Sequence, residues 1–304
     1  MIMITVVGSL NMDLVVRSKK IPVPGETVLG KDFSQIPGGK GSNQAAAIGR
    51  LTGKVNMVGA VGNDSFGKAL KSSLEKDGVN TEKVFTKEKK PTGVAQIVVE
   101  ESGNNAITVV SGANFLLEKE DIDNSLDLIK KSKILITQLE TPLDTVKYAL
   151  SKAKEYNLKT ILNPAPANEL DDNIFSMVDI LTPNETELEI LSNHKTDTIE
   201  NIYKAAQVLI EKGLENLIVT LGDKGSLLVT KESKTLFSAY KVKAVDTTAA
   251  GDCFNGALAF SLLENDSITD AIKFATAAAA LTVTKKGAQT SLPTLEEVKG
   301  FLNN

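Results

Sequence analysis

The sequence predicts an α/β protein with a doubly wound, mostly parallel central sheet, helices on both faces of that sheet, and a small inserted β-sheet that acts as a lid. Two observations lead to this fold class. Continuous apolar runs rich in β-branched residues alternate with helix-period segments along most of the 304 residues. Two stretches, 14–36 and 92–110, interrupt this alternation with short β-type runs and no helix of useful length.

The predicted strands of the central sheet are continuous apolar runs, as expected for strands buried on both faces. They are Ile4–Val7, Val55–Val61, Ile134–Gln138, Thr160–Leu162, Ile180–Thr182, Leu217–Leu221 and Leu227–Thr230. The predicted helices lie between them and are Ser42–Leu51, Ser65–Lys76, Leu143–Glu155, Thr186–Leu191, Ile199–Lys212, Gly251–Leu263, Ile268–Thr284 and Leu295–Leu302. This repetition of strand and helix indicates a doubly wound sandwich.

The two interrupting stretches are interpreted as a second, smaller sheet. Their β-type runs are Leu14–Val16, Thr27–Leu29, Val94–Val99 and Ala106–Val110, separated by Pro, Gly and Asn. Residues 14–36 and 92–110 would then form a lid inserted twice into an α/β domain of residues 1–13, 37–91 and 111–304. A small sheet over the edge of such a domain can exclude water from a site beneath it.

Composition excludes several classes of function. The 34 basic and 38 acidic residues give a net charge of −4, which argues against nucleic-acid or membrane-surface binding. The N-terminus lacks a charged leader with a long apolar stretch, and no run approaches the ~18 to 20 apolar residues that cross a bilayer. We therefore expect a cytoplasmic protein with no nucleic-acid or membrane partner.

The rare residue types narrow the chemistry further. With only Arg17 and Arg50 as arginines, any bound phosphate must be held by lysine, backbone amides or metal rather than by arginine forks. One cysteine, Cys253, excludes an intramolecular disulfide and a multi-cysteine metal cluster. One histidine, His194, lies in a polar stretch that predicts a solvated loop, so a Ser-His-Asp triad is improbable.

One glycine motif is interpreted as a false match. Gly62–Ala69 follows a predicted strand and opens a helix, and it fits a phosphate-binding P-loop except at its last position. That position must carry a Ser or Thr hydroxyl for magnesium, which Ala69 lacks. We expect an ordinary turn in which Asp64 or Ser65 caps the helix.

The segment from Asp246 to Gly256 is the strongest candidate for a reaction site. Ala249, Ala250 and Gly251 lack bulk and run directly into a helix, so backbone N–H groups at the helix start can approach an anion closely. Asp252 follows in the first turn. A carboxylate beside an anion hole suits phosphoryl transfer to a hydroxyl, which needs a base and donors for the phosphate charge. A capped helix with an N-terminal acid explains this segment equally well when it is taken alone.

Three further groups of residues share this chemistry. Gly38, Gly39 and Gly41 surround Lys40 and precede Asn43, a pattern that can hold a polyol through backbone and amide groups. Asn11 and Asp13 lie two residues apart at the end of the first strand, and Glu140 follows a later strand. Strand ends are where α/β folds bind ligands.

Together these elements resemble the ribokinase family of carbohydrate kinases over the whole chain. The two long family signatures match Gly38–Gly62 and Asp246–Ala257. Shorter blocks match at Asn163–Ala167, Thr182–Glu187, Thr220–Gly225 and Lys286–Gln289. The resemblance implies a ribokinase-like fold and the ATP-dependent phosphorylation of D-ribose at its 5-hydroxyl, which yields ribose 5-phosphate and ADP.

The resemblance also implies roles for individual residues. Asp252 would be the catalytic base, with Ala249, Ala250 and Gly251 as the anion hole. The sugar hydroxyls would be bound by Asn11, Asp13, Gly39, Lys40, Asn43, Glu140 and Asp252. The nucleotide would be bound by Asn184, Thr220, Gly222, Gly225, Gly251 and Thr276. Glu187 would hold Mg²⁺, mainly through water.

Two further properties follow from the resemblance alone. A monovalent cation, usually potassium, would bind beside the anion hole, mostly through backbone carbonyls of Asp246, Thr248, Thr282, Lys285, Gly287 and Ser291. The lid would pair with its counterpart in a homodimer and so cover exposed strand edges. Cys253 departs from the threonine common in the family, and we expect it to be a small buried substitute.

Alternative functions remain open at this level. A related substrate such as 2-deoxyribose, fructose or a nucleoside is the nearest, although Asn11 and Asp13 favour a fully hydroxylated sugar. A non-catalytic sugar-binding protein would have lost Asp252 or the small residues before it, and both are present. An NAD-dependent oxidoreductase is disfavoured because no Gly-x-Gly-x-x-Gly follows the first strand.

Overall fold

A computed structural model describes residues 3–265 and 267–303 of the chain. The strands in this part are β1 Met3–Val7, β2 Asn11–Ser18, β3 Gly30–Gly38, β4 Val55–Gly62, β5 Val79–Lys87, β6 Gly93–Glu100, β7 Asn105–Val110, β8 Ser132–Thr137, β9 Lys159–Leu162, β10 Ile180–Leu181, β11 Asn216–Thr220, β12 Ser226–Val229 and β13 Lys234–Phe237. The helices are α1 Lys40–Thr52, α2 Ser65–Lys76, α3 Lys119–Asp123, α4 Leu126–Ile129, α5 Leu143–Glu155, α6 Glu185–Ser192, α7 Ile199–Glu211, α8 Ala250–Asn265, α9 Ile268–Thr282 and α10 Leu295–Leu302.

Nine strands form the central sheet in the order β13-β12-β11-β10-β9-β8-β1-β4-β5. All neighbours are parallel except β11–β12 and β12–β13. The strand order reverses at β1. The chain first adds β4 and β5 on one side of β1, and later adds β8 to β13 on the other side. Ligands of such sheets bind outside the carboxyl ends of the strands at this switch point. The predicted doubly wound α/β fold is confirmed.

Both faces of the sheet are covered by apolar helix surfaces. Helices α1, α2, α8, α9 and α10 pack on one face, and α3 to α7 pack on the other. Successive strand residues serve opposite faces: Ile4 and Val6 of β1 belong to the first core, whereas Val7 belongs to the second. This double burial explains why the central strands read as continuous apolar runs.

The lid sheet has the order β3-β2-β6-β7, with β2 and β6 parallel and the outer pairs antiparallel. The predicted strand Thr27–Leu29 is wrong, since residues 21–29 contain no strand and β3 begins at Gly30. Two prolines in this stretch lack the N–H that a ladder needs, and Gly25 turns the chain with φ 84°. Strand β2 begins at Asn11 and therefore contains the predicted sugar-binding residues Asn11 and Asp13. Strand β3 ends at Gly38, directly before the predicted sugar-binding residue Gly39.

The sequence-based prediction lacks two strands of the central sheet. Strands β5 and β13 form the two edges of the sheet, where one side faces solvent. Their residues alternate between buried and exposed or are mostly exposed, so no continuous apolar run marks them.

The glycine motif at Gly62–Ala69 is a capped turn, as predicted. The Asp64 carboxylate accepts from the Gly67 N–H at 2.8 Å and so caps α2. It also accepts from the backbone N–H and hydroxyl of Thr92, at the start of the lid stretch.

His194 is exposed just beyond α6, as predicted for a loop residue. Among the helices of residues 3–265 and 267–303, none combines the length and the apolar character required to span a bilayer.

Candidate active site

The carboxyl ends of the central strands and the N-termini of α1, α6 and α8 enclose a cavity of about 220 Å³. Its lining is polar, and it unites residues from five separate chain segments. They are Lys40, Asn163, Ala165, Thr182, Asn184, Glu187, Thr220, Thr247, Ala249, Ala250, Gly251, Asp252 and Asn255. A larger cavity of about 700 Å³ lies beside α10, but none of the predicted site residues lines it. We therefore place the candidate active site in the smaller cavity.

The start of α8 has the geometry of an anion hole. Ala249 adopts φ 60°, a left-handed conformation that is strained for alanine and that turns the chain sharply into the helix. The first helical bond runs from the Cys253 N–H to the Ala249 carbonyl. In the described part of the chain, the N–H groups of Gly251 and Asp252 donate to no protein acceptor. These free donors add to the positive end of a 16-residue helix.

Asp252 lies at the bottom of the site, with only 8% of its surface exposed. The Asn43 side-chain amide donates to Oδ2 at 2.9 Å, and the Gln44 amide donates to Oδ1 at 3.2 Å. Burial raises the pKa of Asp252 above its usual value, while Lys40 and the two amides oppose part of this rise. A buried carboxylate with a raised pKa is a stronger proton acceptor than an exposed one.

Lys40 supplies the positive charge of the cavity. Burial alone would lower the pKa of Lys40, but the carboxylates of Asp252, Glu140 and Glu187 together raise it above its ordinary value. Its backbone N–H donates to Glu140 Oε2 at 3.1 Å, and this contact connects α1 to the loop after β8. Lys40 therefore stays protonated among three carboxylates and can attract a phosphate.

Of the predicted sugar-binding residues, only Lys40 and Asp252 line this cavity. Asn11 and Asn43 do not line it, and hydrogen bonds fix the orientation of both of their amides. Asn114 donates to Asn11 Oδ1 at 2.8 Å, so the NH₂ group of Asn11 is left for a ligand. Asn43 donates to Asp252, and its Oδ1 is buried without a hydrogen-bond partner in the described residues. One free donor and one free acceptor suit the hydroxyl groups of a sugar.

Asp13 is the third polar group on the lid side. Within the described residues, no donor contacts its carboxylate. Burial, followed by the nearby charges of Glu140 and Asp252, raises the pKa of Asp13 to about 7. A Cβ at Gly38 would lie 2.4 Å from Asp13 Oδ2, so a larger residue there would displace this carboxylate. The unpaired carboxylate needs hydroxyl donors, which a polyol can supply.

Gly39 joins the lid to α1 in a conformation that excludes other residues. Its φ is 92°, and a Cβ there would lie 2.7 Å from the Asn11 backbone nitrogen. This close approach brings the lid strand β2 against the start of α1. The sequence pattern of glycines around Lys40 therefore reflects a tight backbone crossing beside the site.

Three of the predicted nucleotide-binding residues, Asn184, Thr220 and Gly251, line the cavity. Asn184 and Glu187 cap α6 reciprocally: Asn184 Oδ1 accepts from the Glu187 N–H at 2.8 Å, and Glu187 Oε2 accepts from the Asn184 N–H at 2.9 Å. In the part of the chain that the structure describes, the second oxygen, Glu187 Oε1, accepts no hydrogen bond. Burial raises the pKa of Glu187, and the Asn184 N–H and Lys40 oppose this rise.

Thr220 lines the cavity, but Gly222 and Gly225 belong to the neighbouring loop. Both glycines have positive φ, and a Cβ at Gly225 would lie 1.9 Å from the Phe237 carbonyl oxygen. Thr276 is buried in α9, where its hydroxyl donates to the Ile272 carbonyl, and it does not line the cavity. The predicted contacts of these three residues with a nucleotide stay predictions.

The residues predicted to hold a monovalent cation form a cluster behind α8. Asp246 joins two loops, since it accepts from the Thr248 N–H at 3.0 Å and from the Gly287 N–H at 3.0 Å. Burial would raise the pKa of Asp246, but these donors and the Thr248 hydroxyl lower it below its usual value. The hydroxyls of Thr282 and Ser291 bind backbone carbonyls, and the Lys285 ammonium pairs with Glu297.

This cluster fits a cation held by oxygen. Asp246 contributes an ionised carboxylate, and the Lys285 ammonium is directed to Glu297 rather than into the cluster. No group of three or more His, Cys, Asp or Glu side chains suited to a metal occurs within residues 3–265 and 267–303. That a cation binds here, largely through backbone carbonyls, stays a prediction. Burial raises the pKa of Cys253 to about 12, which makes its thiol inert.

Comparison with known proteins identifies the family of this chain. A family profile described as "pfkB family carbohydrate kinase" matches residues 1–295. The chain belongs to this family. It is 43% identical over 301 residues to a ribokinase of Haemophilus influenzae, covering 99% of this chain and 98% of the relative. It is 40% identical, with the same coverage, to a deoxyribokinase of Salmonella typhimurium.

A solved structure shows the same architecture. The ribokinase of Arabidopsis thaliana complexed with ribose and ATP superposes with a TM-score of 0.93 and 32% identity, covering 100% of both chains. The resemblance to the ribokinase family and the expected fold are thus confirmed. This pfkB-family chain is an ATP-dependent carbohydrate kinase.

The structure of this pfkB-family kinase also contains polar residues that the sequence analysis gave no role. Gln44, Gln138, Asn163 and Asn114 are buried and bind predicted site residues or one another. Gln138 and Asn163 each directly follow an apolar strand, which is a position where a polar side chain reaches the ligand-binding edge of the sheet. Asn114 lies in a short 3₁₀ helix and carries no such signal.

Proposed function

We propose that the protein transfers the γ-phosphoryl group of ATP to the 5-hydroxyl of D-ribose, giving ribose 5-phosphate and ADP. The observation that carries this proposal is the position of Asp252. Its buried carboxylate lies between the Asn43 amide, which retains a free acceptor for a sugar, and the unpaired N–H groups at the start of α8. The similarity to ribokinases, one of them complexed with ribose and ATP, supports the choice of substrate.

The chemistry assigned to the chain follows from these groups. Asp252 accepts the proton of the 5-hydroxyl while the hydroxyl oxygen attacks the γ-phosphorus, and the bond to the ADP oxygen breaks. The N–H groups of Gly251 and Asp252 and the Lys40 ammonium stabilise the charge on the phosphoryl oxygens as they move. The lid excludes water, which would otherwise compete with the sugar for the phosphoryl group.

On the nucleotide side, we propose that Asn184, Thr220 and Gly251 contact ATP, and that Gly222, Gly225 and Thr276 border it. Glu187 would hold Mg²⁺ through water by its free carboxylate oxygen. When bound, Mg²⁺ neutralises phosphate charge. The cluster around Asp246 would hold a monovalent cation, whose charge strengthens the positive potential behind the anion hole.

The substrate is proposed to be ribose rather than its 2-deoxy analogue. Asn11 and Asp13 present a donor and an unpaired acceptor on the lid side, and a sugar lacking a hydroxyl would leave buried polar groups unsatisfied. The similarity to a deoxyribokinase makes 2-deoxyribose the second candidate. The same site would phosphorylate it by the same chemistry.

A coupled assay of ADP release tests substrate and cation together. The purified protein is given ATP, Mg²⁺ and each of a panel of pentoses, hexoses and nucleosides, with either potassium or sodium at equal concentration. We expect the highest kcat/KM with ribose, and rates in sodium about tenfold or more below those in potassium, because the smaller ion fits a carbonyl cage poorly. No turnover of ribose, or a preference for a nucleoside, would contradict the substrate. Equal rates in the two salts would contradict the cation site.

We also propose that residues 14–36 and 92–110 act as the lid over the α/β domain of residues 1–13, 37–91 and 111–304, and that the lid forms a homodimer. The lid exposes five large apolar side chains, those of Leu29, Phe33, Ile107, Val109 and Val110. Apolar side chains beside unpaired strand edges favour burial against a partner. Because ATP is the phosphoryl donor, we place the protein in the cytoplasm.

Sedimentation equilibrium tests the dimer. We expect the native protein to sediment with twice the monomer mass of 32.4 kDa and Phe33→Asp to sediment as a monomer, because a charge on the buried lid face costs more than the contact gains. Phe115→Asp is the control, since Phe115 is equally exposed but lies outside the lid. A monomeric native protein, or equal loss of the dimer in both variants, would refute an interface at the lid.

A further inference from the structure

A chain of three buried side-chain amides meets the Asp252 carboxylate, and one of the three, Asn163, also lines the cavity. Gln138 donates to Gln44 Oε1 at 2.7 Å, and Gln44 Nε2 donates both to Asp252 Oδ1 and to Asn163 Oδ1 at 3.2 Å each. Asn163 then donates to the Thr182 carbonyl at 3.1 Å. We call Gln138, Gln44 and Asn163 the amide chain. It joins the ends of strands β8 and β9 to helix α1.

The carboxylate determines the orientation of every amide in this chain. An ionised carboxylate only accepts hydrogen bonds, so the part of Gln44 that faces Asp252 must be its NH₂ group. Gln44 Oε1 then faces Gln138 and must accept a hydrogen bond from the NH₂ group of Gln138. The second proton of the Gln44 NH₂ group is taken by Asn163 Oδ1, which leaves the Asn163 NH₂ group for the Thr182 carbonyl. All four contacts agree with this single assignment.

The amide chain restricts the carboxylate of Asp252. Asn43 and Gln44 are adjacent in the first turn of α1, and each binds a different carboxylate oxygen. With both oxygens held, the carboxylate cannot rotate about its Cβ–Cγ bond without breaking a hydrogen bond to a charged group. Such a bond is stronger than one between neutral groups. The base is therefore held at one angle to the cavity.

We propose that Gln44 is a positioning residue for the base Asp252, and that Gln138 acts on the reaction only by fixing the orientation of the Gln44 amide. This inference rests on the proposed phosphoryl transfer and adds two residues to it. The oxygen and both protons of the Gln44 amide are bound within the protein, and the NH₂ group of Gln138 is bound to Gln44, so neither NH₂ group is left for the sugar or the nucleotide. Their effect reaches the reaction through the angle and ionisation of Asp252.

The main test is Gln44→Leu, which keeps the size of the side chain and removes both of its hydrogen-bonding ends. We expect kcat to fall about 10- to 100-fold, the loss that corresponds to one hydrogen bond to a charged group. The KM values for sugar and ATP should stay within about threefold, because binding groups are untouched. A wild-type kcat in the folded variant, or a loss confined to KM, would overturn the proposal.

A double-mutant cycle tests the order of the chain. Gln138→Leu should lower kcat about 3- to 10-fold in the native background, because the Gln44 amide can then turn, and should have no effect in the Gln44→Leu background. Additive losses would mean that Gln138 acts independently and would overturn its assigned role. If Gln44→Leu does not fold, Gln138→Leu with wild-type kcat still overturns the proposal.

Asn56→Leu is the matched control for the loss of a buried amide. Asn56 is fully buried in β4, bonds Thr5 and Asn80 through its side chain, and lies near the strand start, at the edge opposite to the site. Its replacement should lower the melting temperature and leave kcat unchanged. A loss of kcat equal to that of Gln44→Leu would show that lost stability alone explains the effect.

The failure of this inference can be told apart from failure of the proposed function. If the native protein does not phosphorylate ribose, the function is refuted without any variant. The amide chain can then be examined by NMR exchange of the Gln44 side-chain amide protons. Their protection should fall in Gln138→Leu and stay unchanged in Asn56→Leu; unchanged protection in Gln138→Leu would refute the chain itself.

Discussion

Asp252→Asn should lower kcat by a factor of about 10² to 10⁴, because the variant retains the shape of the site but has no group that accepts the proton of the sugar hydroxyl. Asparagine has nearly the shape of aspartate, and its oxygen can accept from one of the two amides, Asn43 or Gln44, that bind the native carboxylate. Steady-state kinetics with ribose and ATP should show KM values changed much less than kcat. A kcat within tenfold of the native value would contradict the assignment of Asp252 as the base.

The control for Asp252→Asn is Asp270→Asn. Asp270 is also an acid in the first turn of a helix, α9, but it is exposed and its carboxylate is 3.7 Å from Lys273. Its replacement should leave kcat unchanged.

The native enzyme should also lose kcat as pH falls through the raised pKa of Asp252, because the protonated carboxyl cannot act as a base. Asp252→Asn should lack this dependence.

Asp13→Asn should weaken sugar binding but stabilise the free protein. The KM for ribose should rise about 10- to 100-fold, since a carboxylate that accepts sugar hydroxyls is replaced by a neutral amide. The stability of the free protein should rise at alkaline pH. Burial and the charges of Glu140 and Asp252 raise the pKa of Asp13 from 3.8 to about 7, so its ionisation costs free energy in the folded state.

The sign of the stability effect follows from proton binding. Between about pH 4 and pH 7, folded Asp13 holds a proton that the unfolded chain has released, so the free energy of unfolding declines as pH rises through this window. Asp13→Asn removes this decline. Thermal unfolding without sugar should therefore show the variant more stable than the native protein at pH 8, with a much smaller difference at pH 4. An equal difference at both values would contradict the raised pKa.

Sugar binding by the native protein should have the matching pH dependence. Bound hydroxyls favour ionised Asp13, so the KM for ribose should fall as pH rises through about 7. In Asp13→Asn this change should be absent. Asp32 on strand β3 provides a matched control, because it is an exposed aspartate of the same lid sheet. Asp32→Asn should alter neither the KM nor the pH dependence of unfolding.

Much of the fold could be predicted from the sequence, because a strand that is buried on both faces has apolar residues at consecutive positions. The strands near Ile4 and Val55 are apolar at consecutive residues, since each successive side chain enters a different core. Helix boundaries at Ser65 and Leu295 follow from capping by Asp64 and Thr294. Edge strands such as Val79–Lys87 lack such a continuous apolar run, because one side of the strand faces solvent and can carry polar residues.

Local patterns in the chain were enough to predict the α/β class, the inserted lid, the family, and the anion-hole segment ending at Asp252. Each of these depends on residues that are close in the chain or on a motif of fixed spacing. The groups that surround the Asp252 carboxylate became known only from the folded chain: Asn43 and Gln44 lie more than 200 residues away and bind its two oxygens. The same is true of Asn114, which orients Asn11. Hydrogen bonds between remote segments depend on how strands and helices pack, and no local pattern encodes them.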